Sequence, residues 1–163
     1  MRTTFTLILL TAALAVPALA SAQTSEGRDL AKLAFKSVDQ DEKGYIDQGE
    51  FTLFGGDVFV SMDYDENNRI SLDEFLSWGF GMELIAEEAG RAEAYETAMR
   101  VVFAFWDRNG DTEISKTEYR QSLSADFRRA DFNNDAVLTE EEFLSGFSIN
   151  VAARAAINPP PAK

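Results

Sequence analysis

The chain contains neither cysteine nor histidine. Without a thiolate or an imidazole, it can form no disulfide bond, no zinc site built on sulfur or nitrogen, and no catalytic nucleophile activated by histidine. Any metal ion must therefore be held by oxygen. Oxygen ligands favour calcium, magnesium or manganese.

Positive charge is scarce. The 163 residues include 15 Lys and Arg against 28 Asp and Glu, which gives a formal net charge of −13. Such a chain repels the phosphates of nucleic acids and anionic lipids, so we expect no nucleic-acid partner. The acidic excess is consistent with a bound cation, but it is equally consistent with an acidic surface that is only solvated. The positions of the acidic residues decide between these two interpretations.

Long hydrophobic runs are absent except near the first residue. Arg2 precedes an apolar run over 5–16, Pro17 interrupts it, and small residues follow up to Ala22. This pattern is typical of a secretory signal, so we predict a signal peptide over 1–22 and a periplasmic or secreted protein. A membrane anchor is the alternative, but the run is short for a span of about 20 residues. No later stretch predicts a membrane span in the mature chain.

Four segments repeat one pattern. In each, a phenylalanine stands four residues before an aspartate, a branched apolar residue follows, and a glutamate and an aromatic residue end the segment. The four loops, numbered 1 to 4 below, begin at Asp39, Asp63, Asp107 and Asp131. Loops 1 and 2 are 24 residues apart, as are loops 3 and 4. The spacing predicts two copies of a two-loop unit, at 23–90 and 91–150.

The loop residues match the needs of calcium. This ion takes about 6–8 oxygen ligands, which a twelve-residue loop supplies from positions 1, 3, 5, 7, 9 and 12. Position 7 offers its backbone carbonyl, and a glutamate at position 12 offers both carboxylate oxygens. The candidate ligands are Asp39, Asp41 and Glu50 in loop 1; Asp63, Asp65, Asn67, Arg69 and Glu74 in loop 2; Asp107, Asn109, Asp111, Glu113 and Glu118 in loop 3; and Asp131, Asn133, Asp135, Val137 and Glu142 in loop 4.

This pattern resembles the EF-hand calcium-binding family, which includes calmodulin, over most of residues 28–150. The loops of a pair lie closer together than in calmodulin, and the chain is similar to the compact EF-hand pairs of exported bacterial proteins. The resemblance implies an all-α fold with four helix-loop-helix motifs in two pairs and short β pairing between loops. It also implies Ca²⁺ as the bound ion.

We expect the loops to pair within each half of the chain, through the apolar residue at position 8. The expected partners are Ile46 with Ile70, and Ile114 with Leu138. This pairing requires the segment between two loops to bend, and Gly55-Gly56 marks a break in the first connector. Residues 122–124 are the weaker candidate in the second. If each connector were one unbroken helix, its two loops would lie at opposite ends and could not pair.

Two loop positions depart from the pattern. The sharp turn at position 6 normally takes glycine, but only Gly44 of loop 1 supplies it, and the β-branched Thr112 of loop 3 fits worst. Lys43 stands at position 5 of loop 1, where an ammonium removes a ligand and repels the ion. Whether loop 1 binds calcium stays open, and we predict two to four bound ions.

The remaining segments are assigned more simply. Residues 91–106 form the helix before loop 3, and the linker between the halves lies near 79–90. A last helix starts at Glu140 and ends near Ile157, and 151–163 comprise the helix end and a disordered Pro-rich tail. The aromatic residues that flank each loop are expected to pack in the core.

Two functions remain open at this point. The protein is a calcium sensor or buffer, or it is a calcium-stabilised structural module for an exported partner protein. We expect no enzyme, because the loop positions account for the acidic residues, and because no Gly-rich phosphate loop or activated serine is present. The sequence names no target protein.

Overall fold

The computed structural model describes residues 17–78 and 81–159, with side chains from Gly27 onward. Within these ranges the chain is mainly helical. The helices are α1 (Pro17–Val38), α2 (Gln48–Met62), α3 (Leu72–Ser77), α4 (Met82–Glu88), α5 (Ala92–Trp106), α6 (Lys116–Ala130), α7 (Glu140–Gly146) and α8 (Ser148–Ile157). The strands are β1 (Tyr45–Asp47), β2 (Arg69–Ser71), β3 (Glu113–Ser115) and β4 (Val137–Thr139). The expected helical fold with short strand pairs is confirmed.

Both ends of the chain carry predictions that fall largely outside the described residues. Of the predicted signal peptide, residues 1–16 lie outside them, and of the predicted disordered tail, residues 160–163 do. Both stay predictions. In the part of the chain that the structure describes, no helix combines the length and the apolar character needed to cross a bilayer.

The strand pairs join the first half of the chain to the second. β1 pairs antiparallel with β4, which sets Ile46 opposite Leu138. β2 pairs antiparallel with β3, which sets Ile70 opposite Ile114. The expected pairing within each half is therefore wrong. Loop 1 pairs with loop 4, and loop 2 pairs with loop 3.

The connecting helices explain this pairing. α2 and α6 are each 15 residues long and unbroken. At 1.5 Å per residue, such a helix holds the loops at its two ends about 22 Å apart, so they cannot pair. The predicted break at Gly55-Gly56 is wrong, because Gly55 serves packing instead. A Cβ at Gly55 would lie 2.1 Å from Cδ1 of Leu123 on α6.

α2 and α6 therefore run side by side in opposite directions, with a pair of loops at each end. We call the end with β1 and β4 the 1–4 end, and the end with β2 and β3 the 2–3 end. The division into units 23–90 and 91–150 remains a prediction from sequence spacing. Both strand pairs cross the boundary between those units.

The aromatic residues that flank the loops form the core, as predicted. Each is at most 5% exposed: Phe35, Phe51, Phe59, Phe75, Phe103, Tyr119, Phe127 and Phe143. Edge-to-face contacts join α2 to α6, with ring centroids 5.4 Å apart for Phe51 and Phe127 and 5.1 Å apart for Phe59 and Tyr119. This geometry is the favourable one for aromatic pairs. The contacts hold the two central helices together.

Two segment assignments need correction. The predicted linker contains α4, whose Met82 and Ile85 are buried, so this segment contributes to the core. The predicted last helix is two helices, α7 and α8, separated at Phe147, which has an extended ψ of 125°. Just before this break, Gly146 packs closely against α6, because a Cβ there would lie 2.3 Å from Cα of Ala130. The end of α8 at Ile157 agrees with the prediction.

Candidate metal centres

The four loops share one backbone course. Positions 4 and 6 of every loop have a positive φ, at Glu42 and Gly44, Glu66 and Asn68, Gly110 and Thr112, and Asn134 and Ala136. The sequence predicted this turn at position 6 but missed position 4, where Gly110 and Asn134 were the available signal. A residue other than glycine pays about 1–2 kcal/mol in this region.

The aspartate at position 1 closes each turn. Its Oδ2 accepts a hydrogen bond from the N–H of position 6 in all four loops. The pairs are Gly44 to Asp39 at 2.8 Å, Asn68 to Asp63 at 2.9 Å, Thr112 to Asp107 at 2.9 Å and Ala136 to Asp131 at 3.0 Å. One carboxylate oxygen of each aspartate is thus engaged within its own loop, and the other is left for a different partner.

That other oxygen, Oδ1, separates loop 2 from the rest. In loops 1, 3 and 4 it accepts a backbone N–H, for example that of Lys43 at 2.9 Å from Asp39. In loop 2, Oδ1 of Asp63 is buried and has no hydrogen-bond partner among the described residues, and the residue is 8% exposed. A buried acceptor without a partner costs about 1–3 kcal/mol, and more when it is charged. A cation bound in loop 2 would satisfy this oxygen, so the residues fit a metal ion.

Three carboxylates converge in each of loops 1 and 2. One oxygen from each of Asp63, Asp65 and Glu74 lies within 4.8 Å of the other two, and the same holds for the equivalent residues of loop 1, Asp39, Asp41 and Glu50. Calcium binds oxygen at about 2.3–2.6 Å, so oxygens this close can share one ion. The structure therefore brings together positions 1, 3 and 12, as the sequence predicted.

The glutamate at position 12 belongs to the helix that follows each loop. Together with the residue at position 9 it forms a capping box at the helix N-terminus, in which each side chain accepts from the other's backbone N–H. The pairs are Asp47 with Glu50, Ser71 with Glu74, Ser115 with Glu118 and Thr139 with Glu142. The helix start thus orients the carboxylate toward the loop.

In loops 2 and 3 this glutamate also reaches the beginning of the loop. Oε1 of Glu74 accepts from the N–H of Tyr64 at 2.9 Å and of Asp65 at 3.3 Å. Oε1 of Glu118 accepts from Arg108 and Asn109, both at 3.1 Å. In these two loops, position 12 therefore links the end of the loop to its beginning.

These contacts favour the ionised glutamates. The Ser115 hydroxyl, followed by backbone N–H groups, holds the pKa of Glu118 below its ordinary value of 4.5, although burial opposes the shift. Burial likewise acts to raise the pKa of Glu74, but hydrogen bonds from Ser71, Asp65 and Tyr64 outweigh it and the pKa is lowered. Both side chains are carboxylates at neutral pH, as a calcium ligand must be.

Loops 3 and 4 carry asparagine at position 3. The Asn109 amide donates to Oδ2 of Asp111 at 3.0 Å, and the Asn133 amide donates to Oδ2 of Asp135 at 3.0 Å. The predicted ligands at positions 3 and 5 are therefore adjacent in both loops. An amide oxygen remains a hard ligand that suits calcium.

Position 7 opens each strand, at Tyr45, Arg69, Glu113 and Val137. The sequence assigned its backbone carbonyl to the ion and left its side chain free to vary. One of these side chains has a role that was missed. Nη1 of Arg69 lies 2.9 Å from Glu113 and 3.3 Å from Asp111, so it links loop 2 to loop 3. This contact depends on the pairing of β2 with β3, in place of the predicted pairing within each half.

Lys43 lies inside loop 1. Its Nζ is 2.9 Å from Oδ2 of Asp47, 3.0 Å from Oε2 of Glu50 and 3.2 Å from Oδ1 of Asp41. The ammonium holds the pKa of Asp47 below its ordinary value, and these carboxylates raise the pKa of Lys43. The sequence predicted that the lysine repels an ion at this position; in the structure the lysine also pairs with the predicted ligands Asp41 and Glu50.

Comparison of the chain with family models, with curated proteins and with solved structures gives no match. The assignment of function accordingly rests on the loops themselves.

Proposed function

We propose that this is an exported calcium-binding protein of the EF-hand type, acting as a calcium sensor or buffer. Loop 2 carries the proposal. Its three carboxylates lie within 4.8 Å of one another, and Oδ1 of Asp63 is buried without a partner. Both features are explained by one cation that sits between positions 1, 3 and 12. The export component rests on the signal pattern of residues 1–22.

Calcium suits these loops better than magnesium. Magnesium demands octahedral geometry at about 2.0–2.1 Å and keeps several of its waters. The four loops instead offer a glutamate at position 12 that can bind with both oxygens, which fits the larger and more flexible shell of calcium. The ion would be held by side chains at positions 1, 3, 5 and 12 and by the carbonyl at position 7.

The second candidate is a calcium-stabilised structural module for an exported partner protein. It is favoured by the strand pairs, which join the first half of the chain to the second at both ends of the central helices. Ions bound there would strengthen links between distant parts of the chain. Such links stabilise the whole fold, whether or not the protein also signals.

Thermal unfolding tests the calcium proposal. A ligand that binds only the folded state stabilises it by about 2.7 kcal/mol per site at a hundredfold excess over Kd. We expect calcium to raise the melting temperature clearly and magnesium much less. Glu74→Gln should reduce the calcium effect, because position 12 loses a charged oxygen pair, while Glu88→Gln, an exposed change on α4 outside the loops, should not. Equal melting temperatures in calcium and in chelator would refute calcium binding.

A further inference from the structure

Loop 1 contains a cation of its own. The Lys43 ammonium lies 2.9–3.2 Å from carboxylates at positions 3, 9 and 12 of the loop, contributed by Asp41, Asp47 and Glu50. These are positions from which a loop of this kind ligates calcium. The ammonium therefore sits among the oxygens that a metal ion would need.

Loop 1 is closed in the same way as the other three loops. Its positions 4 and 6, Glu42 and Gly44, have φ of 55° and 83°, and Asp39 accepts the N–H of Gly44 at 2.8 Å. Its strand pairs fully with β4, and Ile46 is 0% exposed. The loop thus has the shared backbone course with a lysine where the other loops have an aspartate or an asparagine at position 5.

We propose that the Lys43 ammonium is the resident cation of loop 1, replacing calcium there and holding the 1–4 end closed without any metal. The Lys43 side chain supplies the positive charge and is covalently attached to the loop, so loop 1 needs no ion from solution. We call the ion pairs of Lys43 with Asp41, Asp47 and Glu50 the tether. The tether itself does not depend on calcium binding. The number of ions that follows from it rests on the proposed function.

The two ends of the molecule then differ in kind. At the 2–3 end, both loops take an ion, and the pairing of β2 with β3 couples them. At the 1–4 end, loop 4 pairs with a partner that is already closed, so its ion binds without cooperativity. The chain binds three calcium ions, two of them cooperatively.

Calorimetric titration measures this count. We expect three calcium ions for the natural sequence and four for Lys43→Asp, which restores a carboxylate at position 5 and removes the competing ammonium. Four ions in the natural sequence, or three in Lys43→Asp, would overturn the proposal. If neither protein bound calcium, the proposed function would be refuted. The tether would then be decided by the melting and acylation measurements that follow.

Melting in chelator tests the tether alone. Lys43→Met removes the ammonium and leaves the carboxylates of loop 1 to repel one another, so the melting temperature should fall by on the order of 2–4 °C or more. The matched control is Lys36→Met, an exposed lysine at the end of α1, which should change it by less. Equal melting temperatures of the Lys43→Met and Lys36→Met proteins would contradict the tether.

Amine acylation of the unmodified protein requires no variant to fold. In chelator, Lys43 should be labelled at least about tenfold more slowly than Lys36, because its ammonium donates to two carboxylates and its side chain is only 23% exposed. Mass spectrometry of the peptides gives both rates. Equal rates would show that the Lys43 ammonium is free in solution and would overturn the proposal.

Discussion

At the scale of single residues, each loop balances a strained turn against the hydrogen bond that closes it. Thr112 of loop 3 has a φ of 72°, where its branched Cβ is unfavourable, and its N–H donates to Asp107 at 2.9 Å. Gly44 adopts the same turn in loop 1 with no side chain to strain. The loops therefore differ in the free-energy cost of their closed form even where their candidate ligands are alike.

Thr112→Gly should stabilise the protein by about 1 kcal/mol, because glycine adopts this backbone region without the side-chain penalty. Urea unfolding in chelator measures the change. Thr97→Gly is the control, since Thr97 is exposed within α5, where glycine weakens a helix. A Thr112→Gly protein that is no more stable than the natural one would show that the turn carries no strain.

Asp126 is a buried acid outside the loops. It is 1% exposed, and it accepts hydrogen bonds from the Ser148 N–H and hydroxyl and from Arg129, the last at 2.7 Å. Burial raises the pKa of Asp126 above its ordinary value of 3.8, although those hydrogen bonds and the Arg129 charge oppose the shift. The ionised side chain is therefore less favourable in the folded protein than in the unfolded chain.

This shift predicts a pH dependence of definite sign. Because the folded pKa is raised, the contribution of Asp126 to stability is present below pH 3.8 and is lost as pH rises through the folded value. Asp126→Asn should therefore gain stability relative to the natural protein between pH 3.5 and pH 7, as measured by urea unfolding at both. Asp57→Asn, an exposed substitution on α2, is the matched control for the removal of one carboxylate. A difference that stays constant with pH for Asp126→Asn would contradict the argument.

At the scale of elements, glycines set how closely the helices approach. Gly146 ends α7 against Ala130, where an added Cβ would lie 2.3 Å from backbone, and Gly56 in α2 faces open space. Gly55 is an intermediate case, because its added Cβ would meet the flexible end of the Leu123 side chain. The same residue type thus marks a contact with rigid backbone, a contact with a side chain and no contact at all.

Gly146→Ala should cost about 1–3 kcal/mol, because the backbone of Ala130 cannot move aside as a side chain can. Gly56→Ala should instead stabilise α2 by about 0.5–1 kcal/mol, since alanine is the better helix former. Thermal and urea unfolding of both variants, compared with the natural protein, give the two signs. A mild effect of Gly146→Ala would mean that α7 can shift away from α6 without loss.

The same glycines show where sequence reasoning succeeds and fails. The convergence of positions 1, 3 and 12 in loops 1 and 2, the position 6 turn and the aromatic core follow from local spacing, so they could be predicted. The partner of each loop could not, because it depends on whether α2 bends at Gly55-Gly56. That depends on packing: Gly55 meets Leu123, which lies 68 residues away along the chain. The unusual position of Lys43 is visible in the sequence. Its ion-pair partners are not, because they depend on the folded course of loop 1.

At the scale of the whole molecule, the strand pairing predicts which of the proposed calcium sites are coupled. Glu74→Gln in loop 2 should weaken calcium binding in loop 3, its partner across β2 and β3, within the 5–150-fold range typical of coupling between sites. Fluorescence of Trp106, which directly precedes loop 3 and is 3% exposed, offers a local signal. Glu142→Gln in loop 4 is the control and should leave loop 3 nearly unchanged. The opposite result would support pairing within each half.

The two strand pairs are nested along the chain, and this nesting favours closure of the inner pair first. Ile70 and Ile114 are 44 positions apart, while Ile46 and Leu138 are 92 apart and enclose them. Closing the wider pair from an open chain costs roughly 0.6 kcal/mol more in entropy than closing the narrower one, since the length about doubles. During synthesis, loop 1 is also the first loop made and the last to find its partner. Loop 1 therefore stays without its pairing partner longest during synthesis, and it is also the loop in which the Lys43 ammonium pairs with the carboxylates.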